Sequence, residues 1–334
     1  MTGTSRPIAA VLAAAVLFGT SGTAQELGPD TSTPLGIAAV RIAIGALTMW
    51  VAIWLLPHGP GRAEVLRSVG SHRVLVLTGG LGVALYTPLF LAGADRAGVA
   101  VATVVTICSG PFFTGGLEWA WRGRRPRLGW LLGTVVTVAG GMLLVSGAAS
   151  PGKDVDSLGL AFALASGLGY AVYSVTAKTT MERGMHSTLA LAAPFTVGAV
   201  MLAVVAVTQP FAWLGSGSGL AMALHLGILA TGAAYVLYGF GLHRLTAATT
   251  VTLVLAEPLT AILLATALLD ETLEPLGWLG VVVVLAGLVV VGRTAEETVD
   301  PAIAPVNVRG PFLDENRPAS FGAAATSAVV DGKD

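Results

Sequence analysis

The chain alternates between apolar stretches of about 20 residues and short charged connections. A stretch of that length crosses the hydrocarbon core of a bilayer as a helix. Ten such stretches are readable, at 7–24, 35–56, 74–94, 98–121, 128–146, 158–181, 187–208, 220–242, 247–269 and 275–292. Only 11% of the 334 residues are charged, too few to cover a soluble domain of this size. The expected fold is therefore an all-α integral membrane protein. The net charge of −1 gives no reason for a nucleic-acid partner. The single cysteine, Cys108, excludes an internal disulfide and a multi-cysteine metal site.

Charge sets the expected orientation. With the N-terminus inside, the inner ends and loops carry twelve basic residues: Arg6, Arg62, Arg67, Arg73, Arg122, Arg124, Arg125, Arg127, Lys178, Arg183, Arg244 and Arg293. The outer loops carry only Arg96 and Lys153. This bias predicts cytoplasmic termini and an even number of spans in a plasma membrane. The tryptophans, Trp50, Trp54, Trp119, Trp121, Trp130, Trp213 and Trp278, all fall near span ends, as in an aromatic belt. Arg6, an apolar stretch and then Ser21-Gly22-Thr23-Ala24 also have the outline of a signal peptide. Removing that stretch would break the repeat described next, so it is read as the first span.

Two segments match in order. Ala94-Asp95-Arg96-Ala97-Gly98-Val99-Ala100 leads to Ser109-Gly110-Pro111 and then Gly129-Trp130. Gly241-Leu242-His243-Arg244-Leu245-Thr246-Ala247 leads to Ala256-Glu257-Pro258 and then Gly277-Trp278. Each half then holds five spans, and an odd number makes the second half enter from the opposite side. The expectation is two inverted five-helix repeats, 1–150 and 151–293, followed by a polar, disordered cytoplasmic tail, 294–334. Such repeats suit alternating access to a central site.

These residues also carry a family resemblance. Leu17-Phe18-Gly19-Thr20-Ser21, Arg41, Glu257-Pro258, Asp270-Glu271 and Gly277-Trp278, in that order, resemble the drug/metabolite transporter superfamily of the EamA type, over about 7–292. The resemblance implies export or exchange of amino acids and related metabolites, coupled to a proton or substrate gradient. One departure is that Arg124 stands where the family has an acidic residue closing the fourth span.

Ionisable groups inside a membrane are costly, about 2.5–3.5 kcal/mol on insertion scales, so each needs a partner or a task. Glu257 lies mid-span beside Pro258, whose missing N–H leaves a carbonyl free to face a cavity. Burial favours a neutral carboxyl, which makes Glu257 a candidate proton carrier; a structural hydrogen bond is the plainer alternative. Arg41 keeps its charge and is a candidate for holding a substrate carboxylate or pairing with Glu257 in one conformation; snorkelling to the outer interface or fixing a carbonyl between helices is the plainer alternative. Glu118 is a candidate gating acid or an interfacial carboxylate. Lys178 is expected to snorkel, and His225 to be a packing histidine, with a proton relay as the alternative.

The candidate substrate cavity comprises Thr20, Ser21, Tyr86, Thr103, Thr106, Tyr170, Tyr173, Ser174, Tyr235 and Tyr238. Tyrosine faces and hydroxyls suit amphipathic solutes, though interhelical hydrogen bonding would use the same groups. Pro88, Pro111 and Pro258 are expected kinks. No cofactor is expected: there is no Walker-type loop, and no helical arrangement of the five histidines that would make an intramembrane metalloenzyme. The expected partners are a small solute and the bilayer. A passive channel is the alternative function.

Overall fold

The computed structural model describes residues 5–55, 60–123, 125–146, 156–268 and 274–296. Arg124, Asp270, Glu271, Lys153 and the tail beyond Glu296 lie outside the described residues. Among the described residues, nine helices are long and apolar enough to cross a membrane. Leu128–Ser146 supplies the tenth span.

The spans are Ser5–Glu26, Pro34–Leu55, Arg73–Ala97, Val99–Arg122, Leu128–Ser146, Ser157–Glu182, Ser187–Ala206, Gly217–Arg244, Ala247–Leu268 and Pro275–Glu296. They are called spans 1 to 10 below. A short helix absent from the sequence reading, Arg62–Ser71, precedes span 3. It seats Val65 in the core and leaves Leu66 outside. At ten residues it is too short to register as a span and too polar to stand out by hydropathy.

Local chemistry sets several span ends. Asp156 accepts from the backbone N–H of Leu158 at 3.1 Å and caps span 6. Thr246 caps span 9 by accepting from the N–H of Thr249 at 3.1 Å. Between spans 3 and 4 the chain turns at Gly98, whose φ of 88° only glycine adopts without strain.

The pairing of spans carries the internal symmetry. Span 3 packs on span 6, and span 1 on span 8; span 2 packs on span 7, and span 5 on span 10. Exchanging the two halves maps the first of these pairs onto the second and the last two onto themselves. That is the pattern of two five-helix repeats related by a pseudo-two-fold axis. Glycine makes the closest of these approaches possible. A Cβ on Gly82 of span 3 would lie 2.6 Å from the carbonyl oxygen of Gly169 in span 6. Apolar side chains such as Leu47, Leu81, Val204 and Val282 cover the outside, as a bilayer-embedded surface requires.

Both ends of the described chain emerge on one face. Gly241, near the end of span 8, lies against Pro7 of span 1, and Gly129, at the start of span 5, lies against Thr294 of span 10. This is called the terminal face.

The prolines behave differently from one another. Pro88 and Pro111 sit inside continuous α-helix. Before Pro258, span 9 tightens into a 3₁₀ turn, Val254–Ala256. Span 8 carries its own irregularity, a π-helical stretch His225–Ala233 that packs against spans 1 and 2. Trp130 and Trp213 correct the aromatic-belt expectation. Both are buried, and Trp130 donates its indole N–H to Thr252 at 3.2 Å.

Candidate functional site

Spans 1, 2, 3, 6, 8 and 9 bring one set of ionisable and aromatic side chains together. Glu257, Tyr86, Tyr170 and Tyr235 are each partly buried and lie where these spans converge. Arg41 of span 2 is within electrostatic reach of Glu257, Tyr86 and Tyr235. Its Nε donates to the hydroxyl of Thr231, in the π-helical stretch, at 3.3 Å. Arg41 and Glu257 form no ion pair within 4.0 Å, and the Glu257 carboxyl accepts no hydrogen bond among the described residues.

The aromatic rings of this set pack on one another. Tyr86 stacks edge-on against Tyr170 with centroids 6.2 Å apart, and Tyr170 lies 5.2 Å from Tyr173. Tyr235 contacts Phe18, Tyr173, Phe195 and Tyr238. Edge and tilted contacts of this kind hold rings in set orientations. Hydroxyl contacts link these rings further. The hydroxyls of Tyr173 and Tyr235 are 2.7 Å apart, Tyr238 donates to Ser174 at 2.9 Å, and Tyr173, Ser174 and Tyr238 are buried.

The hydroxyl candidates divide. Thr20 donates to the Leu17 carbonyl at 2.7 Å, which uses its only proton. His225 Nε2, in the π-helical stretch of span 8, lies 2.8 Å from the same hydroxyl. Ser21 is buried, and its hydroxyl has no partner among the described residues. Thr106 is buried and donates across helices to the Ala163 carbonyl at 3.0 Å. Thr103 lines a separate crevice between spans 4, 5 and 9, with Val104, Ile107, Cys108, Thr137 and Pro258.

Glu118 and Lys178 are buried near the terminal face, 4% and 5% exposed. Glu118 accepts from the backbone N–H groups of Ala247 and Ala248, each at 3.0 Å. It thereby satisfies orphan donors at the start of span 9, where the helix dipole favours an anion. Lys178 donates to the carbonyls of Leu242 and His243 at 2.8 and 3.0 Å, at the opposite pole of span 8. This corrects the snorkelling expectation, because the ammonium turns inward to free carbonyls. Arg122 bridges Glu118, at 3.4 Å, to Glu182, and Lys178 lies 3.7 Å from Glu182. The two i,i+4 pairs, Glu118/Arg122 and Lys178/Glu182, are visible in the sequence. Their union across helices is not.

Among the described residues, an all-helical bundle of two inverted five-span repeats, with ionisable and aromatic groups brought together between its spans, defines a multi-pass integral membrane protein. The EamA-like transporter family matches twice, at residues 5–146 and 157–293, and the chain belongs to that family, within the drug/metabolite transporter superfamily. It is 36% identical over 282 residues to "Uncharacterized transporter YwfM" of Bacillus subtilis (strain 168), covering 84% of this chain and 92% of the relative. A crystal structure at 20% identity shares the fold with a TM-score of 0.71, covering 88% of this chain and 99% of its own. The transporter therefore handles a small solute within a lipid bilayer. Membership of this family points to a non-enzymatic role.

Proposed function

We propose that the protein is a secondary transporter that exports or exchanges small amphipathic metabolites such as amino acids, driven by protons or by exchange. The observation that supports this reading is the placement of Arg41 and Glu257 beside one cluster of tyrosines. Opposite in charge, the two do not pair with each other. A zwitterion would present its carboxylate to Arg41 and its apolar body to the tyrosine rings. Glu257 would carry the coupling proton, because a carboxyl in a cavity can exchange a proton with entering water. The halves 1–150 and 151–293 would rock about the pseudo-two-fold axis, with both termini in the cytoplasm of a plasma-membrane protein.

The test is transport in proteoliposomes with and without a pH gradient. Glu257→Gln is expected to abolish uphill transport while sparing solute-for-solute exchange. Uphill transport at the wild-type rate would refute the coupling role. Flux down a gradient that never becomes uphill under any imposed ion gradient would favour the channel reading instead.

A further inference from the structure

The corner between spans 8 and 9 is held from both sides by buried charge. Lys178 grips the last carbonyls of span 8, and Glu118 grips the first N–H groups of span 9. Span 6 supplies the first and span 4 the second, so groups from both repeats converge on one turn. Arg122 and Glu182 join the two grips into a chain of four charges. Between this corner and Tyr235, along span 8, lie Leu242 and Tyr238, both fully buried.

The corresponding corner of the other repeat joins spans 3 and 4 on the opposite face. It turns at Gly98, and beside it Arg96 pairs with Asp156 at 3.1 Å, the two side chains being 50% and 38% exposed. A pair so exposed is screened by water and cheap to break. A buried ammonium and carboxylate, each bound to backbone groups, cannot leave their partners until water reaches them. The two corners are thus held by unlike means.

We propose that Glu118 and Lys178 are the latch of the terminal-face gate, and that the 8–9 corner must leave both before the cavity opens on that side. The proposal rests on the alternating-access reading above. It concerns the rate and population of one conformational step, and it assigns neither residue a contact with solute.

The test reads the gate without any solute, so its outcome is separable from that of the transport reading. In a Cys108→Ser background, Leu242→Cys is labelled with a membrane-impermeant thiol reagent in sealed vesicles of each orientation. With the latch intact, labelling from the terminal face is slow. Glu118→Gln and Lys178→Met are each expected to speed it about tenfold, the scale of a lost charge-assisted hydrogen bond. Labelling from the opposite face should not rise. Folded variants that label within twofold of the parent would overturn the latch and leave the two charges as static helix caps. If either variant is not recovered folded, Glu182→Gln carries the same test with the same criteria, because Glu182 contacts both Arg122 and Lys178 from an exposed position where a substitution is tolerated. Faster labelling together with no uphill flux for any solute would keep the latch and sink the coupled-transport reading.

Discussion

Span 10 meets span 5 backbone to backbone, and Gly280→Ala shows what that contact is worth. A Cβ on Gly280 would lie 2.5 Å from the backbone nitrogen of Leu144, 2.8 Å from its Cα and 2.9 Å from the carbonyl oxygen of Gly140. Ordinary contact begins at 3.4 Å, so the two helices would have to part by about 0.9 Å, the difference between 3.4 and 2.5 Å. No side chain can swing aside, because every obstructing atom is backbone. The same two helices also place Gly140 against the Val284 nitrogen and Gly287 against the Thr137 nitrogen, each at 2.5 Å from a hypothetical Cβ. Parting at Gly280 therefore loosens packing along the whole pair. Overpacking of this kind costs about 1–3 kcal/mol. Gly116→Ala is the control: a Cβ there meets nothing within 4 Å on an exposed face of span 4, so it should show only the gain in helix propensity, up to about 1 kcal/mol of stabilisation and opposite in sign. Reversible unfolding in mixed micelles would measure both. Equal stability of Gly280→Ala and the parent would refute the claim that this contact is rigid and glycine-dependent.

Two further outcomes follow from the same geometry. Arg41→Lys keeps the charge but loses the planar fork, so binding of solutes bearing a carboxylate should weaken about tenfold or more relative to neutral analogues, read by competition in proteoliposomes; equal loss for all solutes would assign Arg41 to its contact with Thr231 alone. Asp156 is held below the usual carboxylate range by the N–H of Leu158 and then by Arg96, so its contribution to stability is present at neutral pH and is lost as pH falls through that lowered value. Asp156→Asn should accordingly be less stable than the parent at pH ~7 and converge with it in acid, at pH ~3 or below; a difference that stays constant with pH would refute the charged cap.

The sequence by itself determined the number of spans and the two-repeat plan. Lipid cannot satisfy backbone polar groups, so long apolar runs between charged connections leave helices as the reading. It also singled out Arg41 and Glu257, because a charge within such a run is costly enough to demand a reason. It did not show that the two lie beside one cluster of tyrosines. That depends on how spans 2 and 9, more than 200 positions apart in the chain, rotate about their own axes, and near-uniform apolarity hides which face of a membrane helix turns inward. Lys178 shows the same limit most sharply. Its position near a span end suggested an ammonium reaching for water, yet span 8 ends beside it with unpaired carbonyls. Only the tertiary structure decided that those carbonyls, and not the interface, would take the charge. The π-helical stretch of span 8 and the 3₁₀ turn before Pro258 belong to the same class: small departures in backbone geometry, set by neighbouring helices, that no pattern of hydropathy encodes.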